Sequence, residues 1–453
     1  MKIRDLFVYK NGILDVNWDL IVTIPEFKRL QDTPQSNVWH KEGDVFKHTQ
    51  LVTNQMIEEL TLNDVEKTSK YYMLMVASAL CHDLGKATTT RWDETKNDYV
   101  CKNHGAEGAR ITRKLFYDEN VDMREKLCSM VRWHMTLHHI FDNKEKTISK
   151  LIDLSCWCRV PISDMCILNY CDSKGSINDT ESEEYLTNKF NEIERICVEE
   201  DIFDKPYKFI NEQHRVIFYS THDIETRIQQ LGITEDCKHP FTVFVMIGLP
   251  GSGKDTYIKN HLSHLPTVCR DDIRIEMGMQ GEKPTGTKSE EDKVTHFFNK
   301  KMLELCEQNK SFVVNNTNLK KQYRDDYKKL IMKYNPYIVY VYVEAPTIND
   351  NKERRNGQMP LSVIDRMIDN FEYPLPTEYH QMLFDIQDEN KQGIVNTNVE
   401  YVDDLVYSKT YVKNILDKTI VTRGAMILDG YEEKDSCINF MSELIEEIKN
   451  ELY

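Results

Sequence analysis

The sequence predicts two folded regions, an all-α helical bundle followed by an α/β domain that contains a parallel sheet. Over residues 1–175, apolar residues recur at three- and four-residue steps, as in amphipathic helices. Over residues 241–380, short β-rich runs alternate with helical stretches, which indicates βα units. A length of 453 residues is enough for two or three hydrophobic cores. We therefore expect a connector at 176–240 between the two regions and an appendage at 381–453 after them.

The charge is unevenly distributed along the chain. The formal net charge is −16, and the predicted connector and appendage carry −8 each, whereas the two folded regions carry −1 and +1. This balance argues against a protein that coats long nucleic acids through a broadly basic surface, but it is compatible with a local basic channel. The chain begins MKIRDLFVYKNG and has no apolar run near the ~20 residues of a membrane span. We expect a cytoplasmic enzyme that does not bind membranes.

Helical periodicity recurs in five segments of the first region. They are MIEEL, YYMLMVASALCHDL, GARITRKLFYDE, REKLCSMVRWHM and SDMCILNYCDS. The acidic connector is predicted to be mostly helical, and so is the appendage, through VDDLVYSKTYVKNILDKT and SCINFMSELIEEIKNELY. The twelve cysteines include no CxxC pair, so we expect buried, reduced thiols rather than a disulfide framework. The clearest cases are Cys156, Cys158, Cys166 and Cys171.

Imidazoles and carboxylates are spread over separate predicted helices of the first region. The candidates are His48, His82, Asp83, His104, His134 and Asp172. Such a donor set suits a divalent transition metal such as Mn²⁺, Ni²⁺ or Co²⁺ better than calcium or magnesium alone. Adjacent His82 and Asp83 can both reach one ion at a helix end, and Asp83 can bridge two ions. An ion held in this way lowers the pKa of bound water and neutralises a phosphate, so this region is predicted to hydrolyse phosphate esters.

The order of these residues resembles the HD phosphohydrolase superfamily, whose signature is His, then His-Asp, then Asp. The resemblance covers residues 37–176, and the HDLGK string with the following HGAEGA is especially similar to the HD modules attached to RNA-end enzymes. It implies His48, His82, Asp83 and Asp172 as core ligands, with His104 and His134 completing a second metal site. It also implies that Lys86 contacts phosphate. His138 and His139 are expected to lie on a helix surface and are left out of the site.

A glycine-rich loop follows the predicted strand FTVFVMI in the second region. It contains Gly248, Gly251, Ser252, Gly253, Lys254, Asp255 and Thr256, and a helical segment follows it. A strand, such a loop and a helix N-terminus together present backbone N–H groups to a phosphate, while the lysine reaches the outer phosphates. We therefore predict that this loop binds ATP with Mg²⁺. Asp255 stands where the motif has Ser or Thr, so the magnesium contact falls to Asp255 or to Thr256.

Two further motifs of the second region accompany the phosphate loop. Arg270-Asp-Asp-Ile-Arg274 follows a short apolar run, and Asn316-Thr-Asn-Leu follows the next strand. The set resembles the kinase of the polynucleotide 5′-kinase family over residues 241–380. The resemblance implies Asp271 as general base and Arg274 as the group that binds the acceptor phosphate. In the family Asn316 is an aspartate, and the lid arginine is Arg354 or Arg355, of which we favour Arg355.

The order of the two regions resembles the bifunctional HD-domain polynucleotide kinases of RNA repair. This implies ATP-dependent phosphorylation of 5′-OH ends and metal-dependent removal of 2′, 3′ or 2′,3′-cyclic phosphate. The expected partners are nucleic-acid 5′ and 3′ ends, of RNA rather than DNA, with a functional link to a ligase; the oligomeric state is left open. One alternative is a nucleotide-metabolism enzyme with an HD nucleotidase and a small-molecule nucleoside or nucleotide kinase. A second is a nucleotide-sensing scaffold without turnover.

Overall fold

The computed structural model describes residues 1–36, 38–177, 182–209, 211–220, 239–279 and 287–388. It confirms the predicted fold class, because a helical region is followed by an α/β domain with a parallel sheet. The helices predicted for the appendage lie outside the described residues. Within the described ranges, no helix combines the length and the hydropathy of a membrane span.

Eleven helices and two short hairpins make up the described part of the helical region. The helices are α1 (Trp18–Ile21), α2 (Pro25–Lys28), α3 (Val45–Leu62), α4 (Lys70–Cys81), α5 (Lys86–Thr89), α6 (His104–Leu115), α7 (Val121–Trp133), α8 (Thr147–Trp157), α9 (Ile162–Gly175), α10 (Glu183–Glu199) and α11 (Glu212–Ser220). Side-chain caps define several starts; Asp44, for example, accepts a hydrogen bond from the backbone N–H of Lys47. The antiparallel hairpins are β1 (Phe7–Lys10) with β2 (Ile13–Val16) and β3 (Arg91–Asp93) with β4 (Asp98–Val100). Their strands are so short that the region remains mainly helical.

The core of the helical region extends into the predicted connector. Ile193 and Cys197 of α10 are fully buried in the same apolar cluster as the helices of the first 175 residues, and Ile202 and Phe203 join them. This part of the acidic segment therefore packs as a helix against the bundle instead of only linking the two regions. Most of its charged residues lie on the opposite face of α10, as expected for an amphipathic helix, while Lys189 is buried with the apolar residues.

The second region is built on one five-stranded parallel sheet with the order β6-β7-β5-β8-β9. Its strands are β5 (Thr242–Ile247), β6 (Thr267–Val268), β7 (Phe312–Val314), β8 (Tyr337–Glu344) and β9 (Gln381–Ile386). The helices are α12 (Lys254–Tyr257), α13 (Arg270–Glu276), α14 (Lys288–Glu307), α15 (Lys321–Ile331), α16 (Ile348–Arg354) and α17 (Leu361–Asp369). The central strands are apolar on both faces because helices cover the sheet.

Strand β9 corrects the predicted boundary at residue 380. We expected residues 381–453 to form a separate helical appendage, but Gln381–Ile386 pairs with β8 along its whole length and completes the sheet. The strand is at the sheet edge, and only Met382 and Ile386 of its six residues are fully buried. A short strand with this alternation gives a weak apolar signal in the sequence.

The two regions share a buried polar interface. Arg124 of α7 is 0% exposed and donates to both carboxylate oxygens of Glu344, at 2.8 and 3.1 Å. Glu344 ends the central strand β8 and also accepts a hydrogen bond from the Tyr342 hydroxyl. In addition, Tyr117 and Val121 of the helical region belong to the apolar core of the second region. The regions are therefore packed against each other, not simply tethered.

The described cysteines carry no disulfide. Cys156, Cys158, Cys166 and Cys171 are all buried free thiols, in agreement with the prediction. Burial raises the pKa of the Cys158 thiol to about 12, which keeps it protonated and unreactive.

Candidate functional sites

Five helices bring the predicted metal-binding residues of the helical region together. They are His48 on α3, His82 and Asp83 at the end of α4, His104 at the start of α6, His134 directly after α7 and Asp172 on α9. Gly85 allows α6 to approach, because a Cβ at this position would lie 2.0 Å from the backbone oxygen of His104. All six side chains are buried.

Hydrogen bonds fix the orientation of the imidazoles. Their Nδ1 atoms lie 2.8, 2.8 and 2.7 Å from the backbone oxygens of Ala79, Cys101 and Val131, for His82, His104 and His134 respectively. Because a carbonyl oxygen only accepts, each Nδ1 carries the proton and each Nε2 presents a lone pair to the centre of the cluster. The fourth imidazole, His48, turns its Nδ1 to the Glu42 carboxylate at 3.0 Å.

Asp83 lies between two sets of these nitrogen atoms. Its Oδ2 is 3.3 Å from His82 Nε2 and 3.7 Å from His48 Nε2. Its Oδ1 is 3.4 Å from His104 Nε2 and 3.7 Å from His134 Nε2. Asp172 joins the first set, with its Oδ1 3.0 Å from His48 Nε2. The two oxygens of one carboxylate thus face two separate groups of ligand atoms.

These distances fit two divalent ions. Ligand atoms that share an ion at about 2.1 Å lie about 3.0–3.4 Å apart. The distances within each set, from 3.0 to 3.7 Å, are close to this spacing. The Nε2 atoms of His104 and His134 are 3.0 Å apart, and two lone pairs at that distance repel each other unless a cation lies between them. His48, His82 and Asp83 would share one ion, and Asp83, His104 and His134 the other.

The protonation states of two members of the cluster, His134 and Asp83, also suit metal ions. Burial and the neighbouring imidazoles of His104 and His82 lower the pKa of His134 to about 3, so this ligand is neutral. Burial alone would raise the pKa of Asp83, but Lys86 and His82 outweigh it and hold that pKa well below its usual range. Neutral imidazole with ionised carboxylate is the donor set of divalent transition metals.

Two further residues with sequence-based predictions, Lys86 and His138, lie beside the cluster. Lys86, predicted to contact phosphate, is buried and places its Nζ 2.6 Å from Asp83 Oδ2. His138, predicted to lie on a helix surface, has a side chain only 17% exposed, with its Nε2 3.0 Å from Asp172 Oδ2. That prediction is wrong for His138 because the chain turns after α7 and directs the ring inward. His139 is exposed as expected and pairs with Asp142.

Sequence reasoning missed the carboxylate that supports His48. Glu42 Oε1 lies 3.0 Å from His48 Nδ1 and 2.9 Å from His40 Nδ1, and its side chain is 2% exposed. A carboxylate that accepts from the distal nitrogen of a ligand histidine fixes the ring and raises its basicity. Glu42 lies in a polar loop before α3, where nothing in the residue pattern distinguishes it from a solvated glutamate.

The glycine-rich loop of the second region connects β5 to α12. Gly253 has a φ of +104°, which L side chains rarely adopt. Lys254 folds back over the loop and donates to the backbone oxygens of Gly248 and Leu249, at 3.0 and 2.9 Å. Burial lowers the pKa of Lys254 to about 8, with Asp255 opposing and Arg355 reinforcing this shift. The Nζ of Lys254 therefore lies where a bound phosphate would accept its hydrogen bonds in place of the two backbone oxygens.

A cavity of about 370 Å³ lies above the loop. Gly251, Gly253, Lys254, Asp255, Thr256, Arg354, Arg355 and Gln387 line it. Asp255 accepts a hydrogen bond from Asn315 at 2.8 Å, and both Asp255 and Thr256 are exposed to this cavity. The choice between them as magnesium ligand therefore stays open. Ser252 is buried below the loop surface.

A larger cavity of about 1070 Å³ opens beside the loop at the carboxyl ends of the strands. Lys254, Asp271, Arg274 and Arg355 all line it, as the predicted kinase roles require. Arg274 donates to Asp271 Oδ1 at 2.6 Å and to Glu291 Oε2 at 2.9 Å. Glu291, which the motifs did not indicate, thus shares the guanidinium that was predicted to bind the acceptor phosphate.

The remaining motif residues of the kinase site have mainly supporting contacts. The amide of Asn316 accepts from the backbone N–H of Arg270 at 3.3 Å and donates to the Tyr327 hydroxyl at 3.2 Å. In the lid segment, Arg354 donates to the Gly251 backbone oxygen at 3.1 Å and to Gln387. Arg355 lines both cavities and Arg354 only the smaller one. This placement favours Arg355 as the arginine that reaches a transferred phosphoryl group.

Comparisons with known proteins agree with these two sites. Residues 67–156 match the family model described as HD domain, and residues 243–374 match the model described as AAA domain. A Multifunctional CCA protein of Shewanella frigidimarina is 30% identical over 160 residues, which cover 34% of this chain and 35% of that protein. The chain thus spans about a third of the length of the curated relatives it matches.

Two solved kinases resemble parts of the chain. A sugar kinase from Janibacter sp. HTCC2649 is 18% identical with a TM-score of 0.26, over 39% of this chain and 94% of that one. A gluconokinase from Sinorhizobium meliloti 1021 is 14% identical with a TM-score of 0.24, over 41% of this chain and 99% of that one. Together with the geometry, the two family models support an enzyme that joins an HD-type phosphohydrolase to a P-loop kinase-like domain.

Proposed function

We propose that this protein heals broken nucleic-acid ends. The P-loop domain phosphorylates polynucleotide 5′-OH ends with ATP, and the HD region removes 2′, 3′ or 2′,3′-cyclic phosphate. The observation that carries the proposal is the cavity of about 1070 Å³, in which Asp271 and Lys254 line one space with the lid arginine. That volume is at the upper end of the range of small-molecule sites, roughly 300–1,000 Å³, and leaves room for an acceptor beside the ATP phosphates.

In the kinase step, the 5′-hydroxyl oxygen attacks the γ-phosphorus of ATP in line with the leaving ADP oxygen. Asp271 takes the hydroxyl proton, the new O–P bond forms, and the bond from phosphorus to the β–γ bridging oxygen breaks. Lys254 and Arg355 stabilise the charge on the transferred phosphoryl group. Magnesium, held through Asp255 or Thr256, would neutralise charge on the β- and γ-phosphates.

In the HD region, divalent ions held by the six-residue cluster would supply an acidified water molecule and charge neutralisation. The side chains of this chain prepare that chemistry. The backbone oxygens behind the imidazoles keep each Nε2 unprotonated, and Asp83 stays ionised beside Lys86. Lys86 and His138 lie at the margin of the cluster, where a phosphate oxygen can accept a hydrogen bond from either.

Several features favour a nucleic acid over a small metabolite as substrate. The relatives carry the name Multifunctional CCA protein, which refers to a nucleotide sequence. A cleavage that leaves a 5′-OH and a 2′,3′-phosphate requires both reactions before a ligase can rejoin the strand, so a single chain with both sites serves one repair event. We place this reaction on RNA in the cytoplasm.

The test uses the purified full chain with labelled ATP and two RNAs. One RNA has a 5′-OH end and the other a 2′,3′-cyclic phosphate. We expect label transfer to the first and metal-dependent phosphate release from the second. Lys254→Ala or Asp271→Ala should abolish label transfer but keep phosphate release, whereas Asp83→Ala should do the opposite.

Three results would contradict the proposal. Label transfer that persists in both Lys254→Ala and Asp271→Ala would place the kinase site elsewhere. Efficient inhibition of RNA labelling by a mononucleotide would favour the nucleotide-metabolism alternative, because a polynucleotide site should bind a single nucleotide weakly. ATP binding without any turnover on either RNA would favour a sensing scaffold.

A further inference from the structure

A second polar cleft lies between the two regions. Its cavity of about 790 Å³ is bounded by the start of α6 with the preceding loop, by α15, and by the end of α17. We name it the interdomain cleft and define it by residues 102–113, 320–329 and 369–372. Arg110 and Lys114 both pair with Asp369, at 3.0 and 2.9 Å, and so hold the two walls together.

The interdomain cleft is basic although the chain is acidic. Seven Lys and Arg residues line it against four Asp and Glu residues, in a protein with a net charge of −16. Within the described ranges, Lys102, Lys320 and Arg132 form no ion pair with a carboxylate, and the Nε of Arg132 is buried without a hydrogen-bond partner. Cations left unpaired on both walls of one cleft indicate a polyanionic ligand.

The interdomain cleft overlaps the kinase cavity and borders the start of α6, the helix that carries one residue of the metal cluster. Lys329 lines the cleft and also the kinase cavity that contains Asp271. The distance from Lys321 to Lys329 along α15 is about 12 Å, a length that a few nucleotides of a single strand can span. On the opposite wall, Lys102 and Asn103 directly precede His104 of the metal cluster. A nucleic-acid strand that leaves the kinase cavity along α15 therefore runs towards the HD site.

We propose that the interdomain cleft binds the sugar-phosphate backbone of a single nucleic-acid strand whose 5′ end lies in the kinase cavity. The inference rests on the proposed function, which it deepens by adding a binding site for internal phosphates. Lys320 and Lys102 contact phosphates a few nucleotides from the 5′ end, and Arg132 contacts one deeper in the cleft. The site explains how an acidic enzyme holds a polynucleotide without a broadly basic surface.

The test compares the wild-type chain with Lys102→Ala/Lys320→Ala. Binding of a 5′-OH oligoribonucleotide of about twelve nucleotides is measured by fluorescence anisotropy at several salt concentrations. Loss of two phosphate contacts should reduce the slope of log K against log salt by about 1.4 and weaken binding about 25-fold at 0.1 M salt. The KM for the same oligonucleotide should rise by about tenfold or more with kcat unchanged, whereas a 5′-OH dinucleotide, which occupies only the kinase cavity, should be unaffected.

The matched control is Lys96→Ala/Lys310→Ala, which removes one exposed lysine from each region outside the cleft. It should bind like the wild type. An unchanged salt slope and an unchanged KM in the cleft variant would overturn the cleft proposal while leaving the proposed function intact. Absence of phosphoryl transfer to both acceptors would overturn the proposed function. The anisotropy measurement would still show whether the interdomain cleft binds the oligonucleotide.

Discussion

The two candidate sites differ in how completely the protein assembles them. In the HD cluster the ligand atoms already lie 3.0–3.7 Å apart, buried and oriented by hydrogen bonds from behind. In the P-loop domain the corresponding groups surround open cavities, and Lys254 and Arg274 are bonded to other protein groups. A site for small ions can be organised by packing alone. A site for two large, mobile substrates has to be completed by the substrates, which exchange these internal contacts for phosphate.

The largest effect should come from removing the carboxylate that both ion sites share. Asp83→Ala takes a ligand from each set at once, so we expect loss of both bound ions and a fall of at least about 10³-fold in phosphate release. Metal analysis of the purified variant measures the first effect, and the labelled-RNA assay the second. Label transfer from ATP should stay at the wild-type level, because the kinase cavity contains none of these residues. One retained ion per chain would show that Asp83 does not bridge.

The second-largest effect should come from breaking the buried contact between the two regions. Arg124→Met leaves the Glu344 carboxylate buried without its guanidinium partner, which should lower the free energy of unfolding by about 3–5 kcal/mol. Chemical denaturation measures the change. Both activities should be lost together at temperatures where wild type is still folded, because Arg124 lies on α7 and Glu344 ends β8.

Two controls sharpen this test. Arg195→Met breaks exposed ion pairs on α10, which solvent screens, and should lower the stability far less than Arg124→Met does. Combining Arg124→Met with Glu344→Met removes both charges and should recover part of the loss. If Arg124→Met changes stability no more than Arg195→Met does, the two regions are energetically independent, and each site can be understood by itself.

A smaller effect should come from Glu42, the carboxylate that contacts the Nδ1 atom of the predicted metal ligand His48. Glu42→Gln keeps the size of the side chain but removes the charge beside His48 Nδ1, so we expect about 10- to 100-fold weaker binding of a divalent ion such as Mn²⁺. Calorimetric titration of the metal-free protein measures this affinity. Glu94→Gln, an exposed glutamate between β3 and β4, should have no effect. Equal affinities of the two variants would show that Glu42 does not support the ion site.

The sequence predicted the fold class from strong local patterns, and the residues of the HD cluster from their resemblance to the HD phosphohydrolase superfamily. Periodicity identified the helices, and each His or Asp of the cluster lies within or next to a helix. Glu42 and Glu291 were missed because a supporting carboxylate is defined only by what it touches in space. The inward position of His138 depends on the turn after α7. The strand β9 was missed because the predicted boundary followed the change in net charge at residue 380, and the sheet continues past that point.

The smallest expected effect concerns the protonation of Lys254. Its pKa is about 8 in the free protein because of burial, so the side chain is mostly charged at about pH 7 and mostly neutral at about pH 9. Bound phosphates favour the charged form, so ATP binding should take up a proton above about pH 8, and affinity should fall by up to about tenfold per pH unit there. Calorimetry in buffers of different protonation enthalpy measures this uptake. Lys259→Met, on the next turn, should keep the pH dependence, whereas Lys254→Met should lose it. An ATP affinity that is constant from about pH 7 to about pH 9 would mean that Lys254 is already fully charged in the free loop, and the P-loop site would then be as preorganised as the HD cluster.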